Sequence, residues 1–412
     1  WQRAGRAGRR GLDVDGEVLL ISAAWDREAD RYALGRFENI VSGLADPRAL
    51  AEQVLAEVSS GFATTRAQLH RRYARSLAAH QERLPNVDRV LAEMIDSGMV
   101  VEVCDDNARA SRLKVTRLGR IAVRQMLAPR TVLSLAQAFA AENAASLRLF
   151  DVLLACAATD DCEPRIPADF EELEEIGEHL MREPSTYLTG SADNLQRQFG
   201  HGGRRMLSIL KTALIARAWT RLGCAQTVAD KFGCYVFEVR RLTESLERIL
   251  TAAVAVMTPP KKTDGEHATE DEPAETHLDE EPQLAERVRA LAAMVGHGVD
   301  EQTVTLTYLT GIGGKLARRL QEAGFKDIED LAQAECAALA SVRSVSETRA
   351  ARWIKEATER MSTRSAFSLK EAGSALRSAT TACDPPVDPY RLRRALDLDV
   401  RKHTDMFIVS GG

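Results

Sequence analysis

Five residues at the start of the chain have the types and spacing of a nucleotide-handling loop: Gln2, Gly5, Arg6, Gly8 and Arg9, arranged Q-x-x-G-R-x-G-R. Glycines between guanidinium groups let a backbone pass close to a polyphosphate. Two arginines three apart can present planar forks to the charge that develops on a transferring phosphoryl group. This is arginine-finger chemistry, and it marks Arg6 and Arg9 as candidate catalytic residues, with Gln2, Gly5 and Gly8 beside them around the nucleotide. An Arg/Gly-rich arm that touches nucleic acid without structure is the other reading of the same residues. The turn signal Asp13-Val-Asp-Gly16 and the apolar run Glu17-Val-Leu-Leu-Ile-Ser22 favour a loop that feeds a buried strand.

Two other places carry chemistry. In the string Phe237-Glu-Val-Arg-Arg-Leu-Thr-Glu-Ser-Leu-Glu-Arg-Ile-Leu250, Val239, Leu242, Leu246, Ile249 and Leu250 form one helical face, leaving Arg241, Ser245 and Arg248 together on another. A solvated arginine face on a bundle helix has the same pattern. Further on, Leu309-Thr-Gly-Ile-Gly-Gly-Lys315 is the h-x-G-h-G hairpin of a helix-hairpin-helix motif. Gly311 and Gly313 permit a tight turn whose amides, at a helix N-terminus, can meet a phosphate oxygen, and Lys315, Arg318 and Arg319 add positive charge. Phosphates carry no sequence code, so binding there is expected to be sequence-independent. Ser341-Val-Arg-Ser-Val345 before Arg349-Ala-Ala-Arg-Trp353 reads as a second, glycine-free copy with a structural role.

The elements that must position these residues are mostly helical. The chain has 412 residues, 45% hydrophobic and 28% charged but only 5% aromatic, which is enough for about three cores rich in helix formers. A net charge of −5 confines nucleic-acid contacts to local patches. Seven scattered cysteines form no C-x-x-C pair, which argues against zinc and for a reducing cytoplasm. No apolar run reaches the roughly 20 residues of a bilayer span, so no membrane association is expected.

Residues 1–25 read as the end of a RecA-like domain, and 26–45 as a connector. Residues 46–130 hold helices over 48–60, 64–77 and 86–97, then strands at 99–103 and 111–115, the order of a winged helix. Its third helix shows Asp88, Glu93 and Asp96 against a single Arg89 on its outer face, so it suits a hinge better than a base reader. The second helix, with Arg66, Arg71, Arg72 and Arg75, is more basic and suits either a phosphate backbone or open solvent. Residues 131–257, expected to be helical throughout, make a helical bundle in which Trp219 falls on the apolar side. Residues 258–283 read as an acidic disordered linker, too poor in apolar residues to bury a core, and the spacing of His267 and His277 there fits no familiar metal site. A helix-hairpin-helix domain over 284–361 follows, and 362–412 is a tail or the start of a further domain.

The string from Gln2 to Ser22 resembles motif VI and the following strand of superfamily-two helicases of the Ski-type branch, above all the archaeal stalled-fork DNA helicases. A proline commonly follows the last motif arginine in that family, and Arg10 stands there in this chain. The resemblance extends to Thr116-Arg-Leu-Gly119 with Pro129 and Thr131, to Lys211-Thr-Ala-Leu-Ile-Ala-Arg-Ala-Trp219, and to Ala229-Asp-Lys-Phe-Gly233. It implies that Gln2, Gly5, Arg6, Gly8 and Arg9 face ATP between two RecA-like domains. It also implies that the bundle is a ratchet domain whose long helix grips single-stranded DNA through an arginine and a tryptophan seven residues later. Arg241 matches that arginine, while Arg248 holds the tryptophan position; a guanidinium can stack on a base and also pair with a phosphate.

No G-x-x-x-x-G-K-[ST] loop and no Asp-Glu-x-His-type motif occurs in the chain, so it is expected to be the C-terminal portion of a longer enzyme that uses ATP and Mg²⁺. By itself it is expected to bind no cofactor or metal and to hydrolyse nothing. The implied whole is a monomeric, cytoplasmic, nucleoid-associated 3′–5′ DNA helicase that acts on single-stranded and forked DNA in repair or replication restart. A non-enzymatic DNA-binding scaffold and an RNA helicase of the same branch are the alternatives.

Overall fold

The computed structural model describes residues 38–104, 111–140, 147–180, 203–258 and 281–362, most of 19–36, and residues 182, 183 and 185. The loop with Gln2, Gly5, Arg6, Gly8 and Arg9, nearly all of the acidic linker and the tail after residue 362 lie outside the described residues. Within them the chain is mainly helical, as expected, and the only strands are one antiparallel pair.

A short connector helix, α1 (Arg27–Ala33), precedes the winged helix. Helix α2 (Pro47–Ser59) starts where the Asp46 carboxylate accepts the Arg48 N–H at 2.9 Å and Pro47 takes the first position. Its apolar face of Leu50, Val54, Leu55 and Val58 is buried. Thr65 caps α3 (Arg66–Tyr73), which ends earlier than the expected residue 77. Ser76 accepts the Ala79 N–H at 3.2 Å and opens a separate single turn, α4 (Leu77–His80), as short polar side chains do when they compete with helix continuation. Asn86 caps α5 (Val87–Asp96), which buries Val87, Val90, Leu91 and Met94. Strand β1 (Val100–Val103) pairs with β2 (Arg112–Val115), Val100 opposite Val115 and Val103 opposite Arg112.

The T-x-x-G signature that follows has two separate physical causes. Thr116 caps α6 (Arg117–Gln125) by accepting the Gly119 N–H at 3.2 Å, and its hydroxyl donates to the Gly98 carbonyl at 2.6 Å. Gly119 lies against the sheet: a Cβ there would stand 2.3 Å from the Met99 carbonyl oxygen and 2.6 Å from a Val115 methyl.

The bundle comprises α7 (Pro129–Ala138), α8 (Leu149–Ala158), α9 (Leu173–Leu180), α10 (Gly203–Leu222), α11 (Ala225–Phe232) and α12 (Val236–Met257). Its helical run is interrupted at 159–169, an irregular segment. Hydroxyls on the neighbouring helices supply the acceptors that a helix would have supplied internally. Thr212 takes the Ile166 N–H and Ser208 the Ala168 N–H, both at 3.2 Å, and Ser245 takes that of Glu163 at 3.3 Å.

Helix α13 (Glu281–His297), expected to open the hairpin domain, lies along α12 and also touches α8 and α10. A 3-10 turn over Val304–Tyr308 follows. Helices α14 (Gly314–Glu322), α15 (Ile328–Ala332), α16 (Cys336–Ala340) and α17 (Glu347–Ser362) complete the chain, with α15 and α16 packed on α17 around the fully buried Trp353.

Candidate nucleic-acid interface

Helix α12 is the rod on which the first surface is built. Its 22 residues bury Val239, Leu242, Leu246, Ile249 and Leu250 against surrounding helices that include α6, α7, α11 and α13. The opposite stripe follows 4-3-4 spacing through Phe237, Arg241, Glu244 and Arg248. Arg241 is exposed and makes no hydrogen bond or ion pair within the described residues. Arg248, about 10.5 Å further along the axis, is half-buried, and its Nε is buried without a hydrogen-bond partner. Ser245, expected beside these arginines, turns inward: its hydroxyl donates to the Asp161 carbonyl at 2.8 Å and accepts the Glu163 N–H. The 159–169 segment therefore covers one flank of the stripe.

The carboxyl end of α12 is held from the winged-helix side. Arg117, the first residue of α6, donates through Nη2 to the carbonyls of Ala255 at 2.6 Å and Val256 at 3.0 Å, and to that of Thr258. These are the carbonyls that a helix end leaves unpaired, and a cation there also meets the negative end of the helix dipole.

The second surface is the hairpin. Gly311 sits at φ +85°, a conformation that side chains resist, and Gly313 in extended geometry caps α14. Gly314 has its own constraint, since a Cβ there would stand 1.8 Å from the His297 carbonyl oxygen. Lys315 is exposed, and Arg319 reaches Ser344 Oγ at 3.0 Å. Arg318 points the other way. It donates to the Leu222 carbonyl at 2.6 Å and to the Gly298 carbonyl, joining the end of α10 to the turn after α13. Burial lowers its pKa from the ordinary arginine value, with Asp300 opposing. Of the five hairpin residues singled out from sequence, four gather at the loop and Arg318 serves as a strut behind it.

Sequence reasoning missed the clamp on this loop. Arg352 Nη2 and Trp353 Nε1 donate to the Thr310 carbonyl at 3.0 and 2.9 Å, and the Thr310 N–H donates to the Glu356 carboxylate at 3.2 Å. The apolar spacing of α17 could have turned Trp353 inward, but nothing in the sequence pairs Arg352 with a loop 42 residues away. The second hairpin repeats the backbone of the first without its glycines. Ser344 sits at φ +75° where Gly311 stands in the first copy. Val345 N–H donates to the Val342 carbonyl at 3.0 Å, as Ile312 does to Leu309 at 3.1 Å.

Part of the charge on the winged helix is engaged internally. Arg66 forms two hydrogen bonds to Glu102, at 3.0 and 2.7 Å, and lies 3.6 Å from Asp88, which also pairs with His70 at 3.0 Å. Arg66 and Ser111 hold the Glu102 carboxyl down at about 2. Arg72 pairs at 2.7 Å with the buried Glu57, while Arg71 and Arg75 remain exposed. Deeper in, Arg217 on α10 is 3% exposed and stands 3.3 Å from Glu183 and 2.5 Å from Glu301; Arg221 meets Glu183 at 2.6 Å. Lys211, from the K-T-A-L string, is buried and 2.5 Å from Glu172. Trp219 is half-buried, and its Nε1–H donates to the Val295 carbonyl at 2.7 Å. Among the described residues no group of three or more His, Cys, Asp or Glu could hold a metal, and no helix is long and apolar enough to cross a membrane.

Three helices with a two-stranded sheet, a bundle with one long arginine-bearing helix and a pair of hairpins make up a mainly helical chain. Residues 304–359 match the SAM-like helix-hairpin-helix tandem family. Most of the chain is similar to ATP-dependent DNA helicases named Hel308. That of Caldivirga maquilingensis is 25% identical over 373 residues, 86% of this chain and 46% of the relative. Those of Aeropyrum pernix and Pyrococcus horikoshii are each 24% identical, over 81% and 84% of this chain and 41% and 45% of their own. The chain thus spans less than half the length of these relatives and resembles the C-terminal portion of a Hel308-like superfamily-two helicase.

Proposed function

We propose that this chain is the DNA-binding and translocation part of an ATP-dependent 3′–5′ DNA helicase that works on single-stranded or forked DNA in repair or replication restart. The observation that carries the reading is α12: a single rigid helix presents Arg241 to solvent while its far end is gripped by Arg117 of the winged-helix side. A strand held along the Phe237–Arg248 stripe would meet Arg241 first and Arg248 about 10.5 Å later, each offering a guanidinium to a phosphate. The Gly311–Lys315 hairpin, with Arg319, would hold the strand's backbone further along, without regard to sequence. The Hel308 names of the relatives support this choice over a non-enzymatic scaffold.

In the full-length enzyme, Gln2, Gly5, Arg6, Gly8 and Arg9 carry a donor set suited to a polyphosphate: two guanidiniums, an amide and glycines that open the backbone. ATP with Mg²⁺ would supply the hydrolysis that drives movement, and Arg6 and Arg9 would neutralise the charge that develops on phosphoryl transfer. In a cytoplasmic, nucleoid-bound monomer these residues would complete a site with the RecA-like domains. The isolated chain is expected to bind single-stranded DNA and to hydrolyse no ATP.

The test is the salt dependence of binding to a single-stranded oligonucleotide, with an RNA of the same sequence as competitor. Each phosphate contact on a single strand contributes about 0.7 to the slope of log affinity against log salt, so losing two lowers it by about 1.4. Arg241→Ala combined with Arg248→Ala is expected to show that drop and weaker binding. An unchanged slope refutes the role of this stripe, and a clear preference for RNA refutes the substrate.

A further inference from the structure

At the head of α12 two large rings stand in water. Tyr235 is 70% exposed and Phe237 61%, and with Leu222 they are the exposed large apolar side chains among the described residues of the bundle. Their ring centroids lie 5.7 Å apart with planes only 17° from parallel. The pair is held in place by its backbone. Gly233, at φ +59°, ends α11 and turns the chain, Tyr235 adopts extended geometry as the residue before α12, and the Glu238 carboxylate accepts the Tyr235 N–H at 2.8 Å. That hydrogen bond also engages the Glu238 carboxylate with the backbone. One turn on come Arg240 and Arg241, both exposed. Phe237 and Arg241 share the stripe that continues to Arg248.

We propose that Tyr235 and Phe237 form a base-stacking platform for single-stranded DNA at the entrance of the Arg241–Arg248 stripe. The inference rests on the DNA-binding reading above and goes beyond it by naming where the bases, rather than the phosphates, are held. Exposed rings are unfavourable in water and gain most from a flat aromatic partner, and every base has such a face. A protein surface would also cover two rings, but the two cations on the next turn fit the polyanion that accompanies stacked bases. The platform also gives α12 the aromatic stacking that Arg248 alone cannot supply, at the opposite end of the same stripe. About 16.5 Å of helix axis separates Phe237 from Arg248, so the platform and both arginines can engage one strand together.

The experiment compares the whole chain with Tyr235→Ala, Phe237→Ala and the pair, on an oligothymidylate and on an abasic oligonucleotide of equal length. Removal of each ring is expected to weaken oligothymidylate binding roughly ten-fold, with the salt slope unchanged and no loss on the abasic strand. Phe237→Trp is expected to keep or improve binding, and a base analogue whose fluorescence is quenched by stacking should report the contact directly. Full binding by the alanine variants, or equal loss on the abasic strand, overturns the platform while leaving the Arg241–Arg248 reading intact. Failure of the unaltered chain to bind either strand overturns both.

Discussion

Arg217→Met probes the junction between the bundle and the hairpin domain. Arg217 is all but sealed from solvent and holds two carboxylates, Glu183 beyond the end of α9 and Glu301 in the turn that leads from α13 into the hairpin. Methionine keeps most of the apolar stem and removes the charge. Breaking a buried ion pair by deleting one partner costs about 3–5 kcal/mol, because the other charge is left without compensation. Glu183 retains Arg221 at 2.6 Å, and only Glu301, with a 12% exposed side chain, loses its cation. The expected cost therefore lies at the lower end, about 3 kcal/mol. For a unit of this size 1 kcal/mol corresponds to roughly 2–4 °C, so the melting temperature should fall by about 6–12 °C. Urea and thermal unfolding followed by tryptophan fluorescence would measure it, since Trp219 and Trp353 lie on the two sides of the junction. Adding Glu301→Gln to Arg217→Met should recover part of the loss, because the stranded charge disappears with its partner. A single variant within about 1 kcal/mol of the parent chain, with no recovery in the double variant, would refute the claim that this pair is buried and coupled.

Gly119→Ala should destabilise the winged helix by about 1–3 kcal/mol, since its Cβ would press on the Met99 carbonyl, a backbone atom with little freedom to retreat; thermal unfolding measures the loss, and a neutral result would mean α6 does not lie against β1 and β2. Glu102 supplies a pH signature. Its folded carboxyl titrates at about 2, below its unfolded value, so its contribution is present at neutral pH and fades as pH falls through the ordinary glutamate range towards 2. Its side chain is 24% exposed and that of Arg66 40%, so solvent screening limits the contribution to about 1 kcal/mol. Glu102→Gln should therefore lower stability at pH 7 and flatten the acid limb of the stability profile, and an unchanged acid limb in urea titrations would count against the Arg66 contact.

Local rules made the winged helix and the first hairpin legible from sequence. Asp46-Pro47, Thr65 and Asn86 each announce a helix start through their own side chains, and Gly311 announces a turn that only glycine enters freely. What could not be read depends on partners distant in the chain. Ser245 lies within the span of one helical face, and only the arrival of the 159–169 segment turns it inward. Arg318 carries the same charge as Lys315 and sits one turn away, yet carbonyls 20 and 96 residues off determine where it points. Ser344 adopts the left-handed backbone of the first hairpin with a side chain that gives no sign of it, in a turn closed by the Val345–Val342 hydrogen bond between two buried valines. The register of α13 on α12 was equally hidden, since an amphipathic pattern says that a helix has a buried side without naming what buries it.

The Arg318 strut has a mechanical consequence. With its guanidinium on two carbonyls, and with the Trp219 indole donating to the Val295 carbonyl at the end of α13, the hairpin is tied to the bundle at two separate places. The 17 residues of α13 make a beam about 25 Å long. The arginine and the indole thus join the Arg217–Glu301 pair in tying the loop at Gly311 to the bundle.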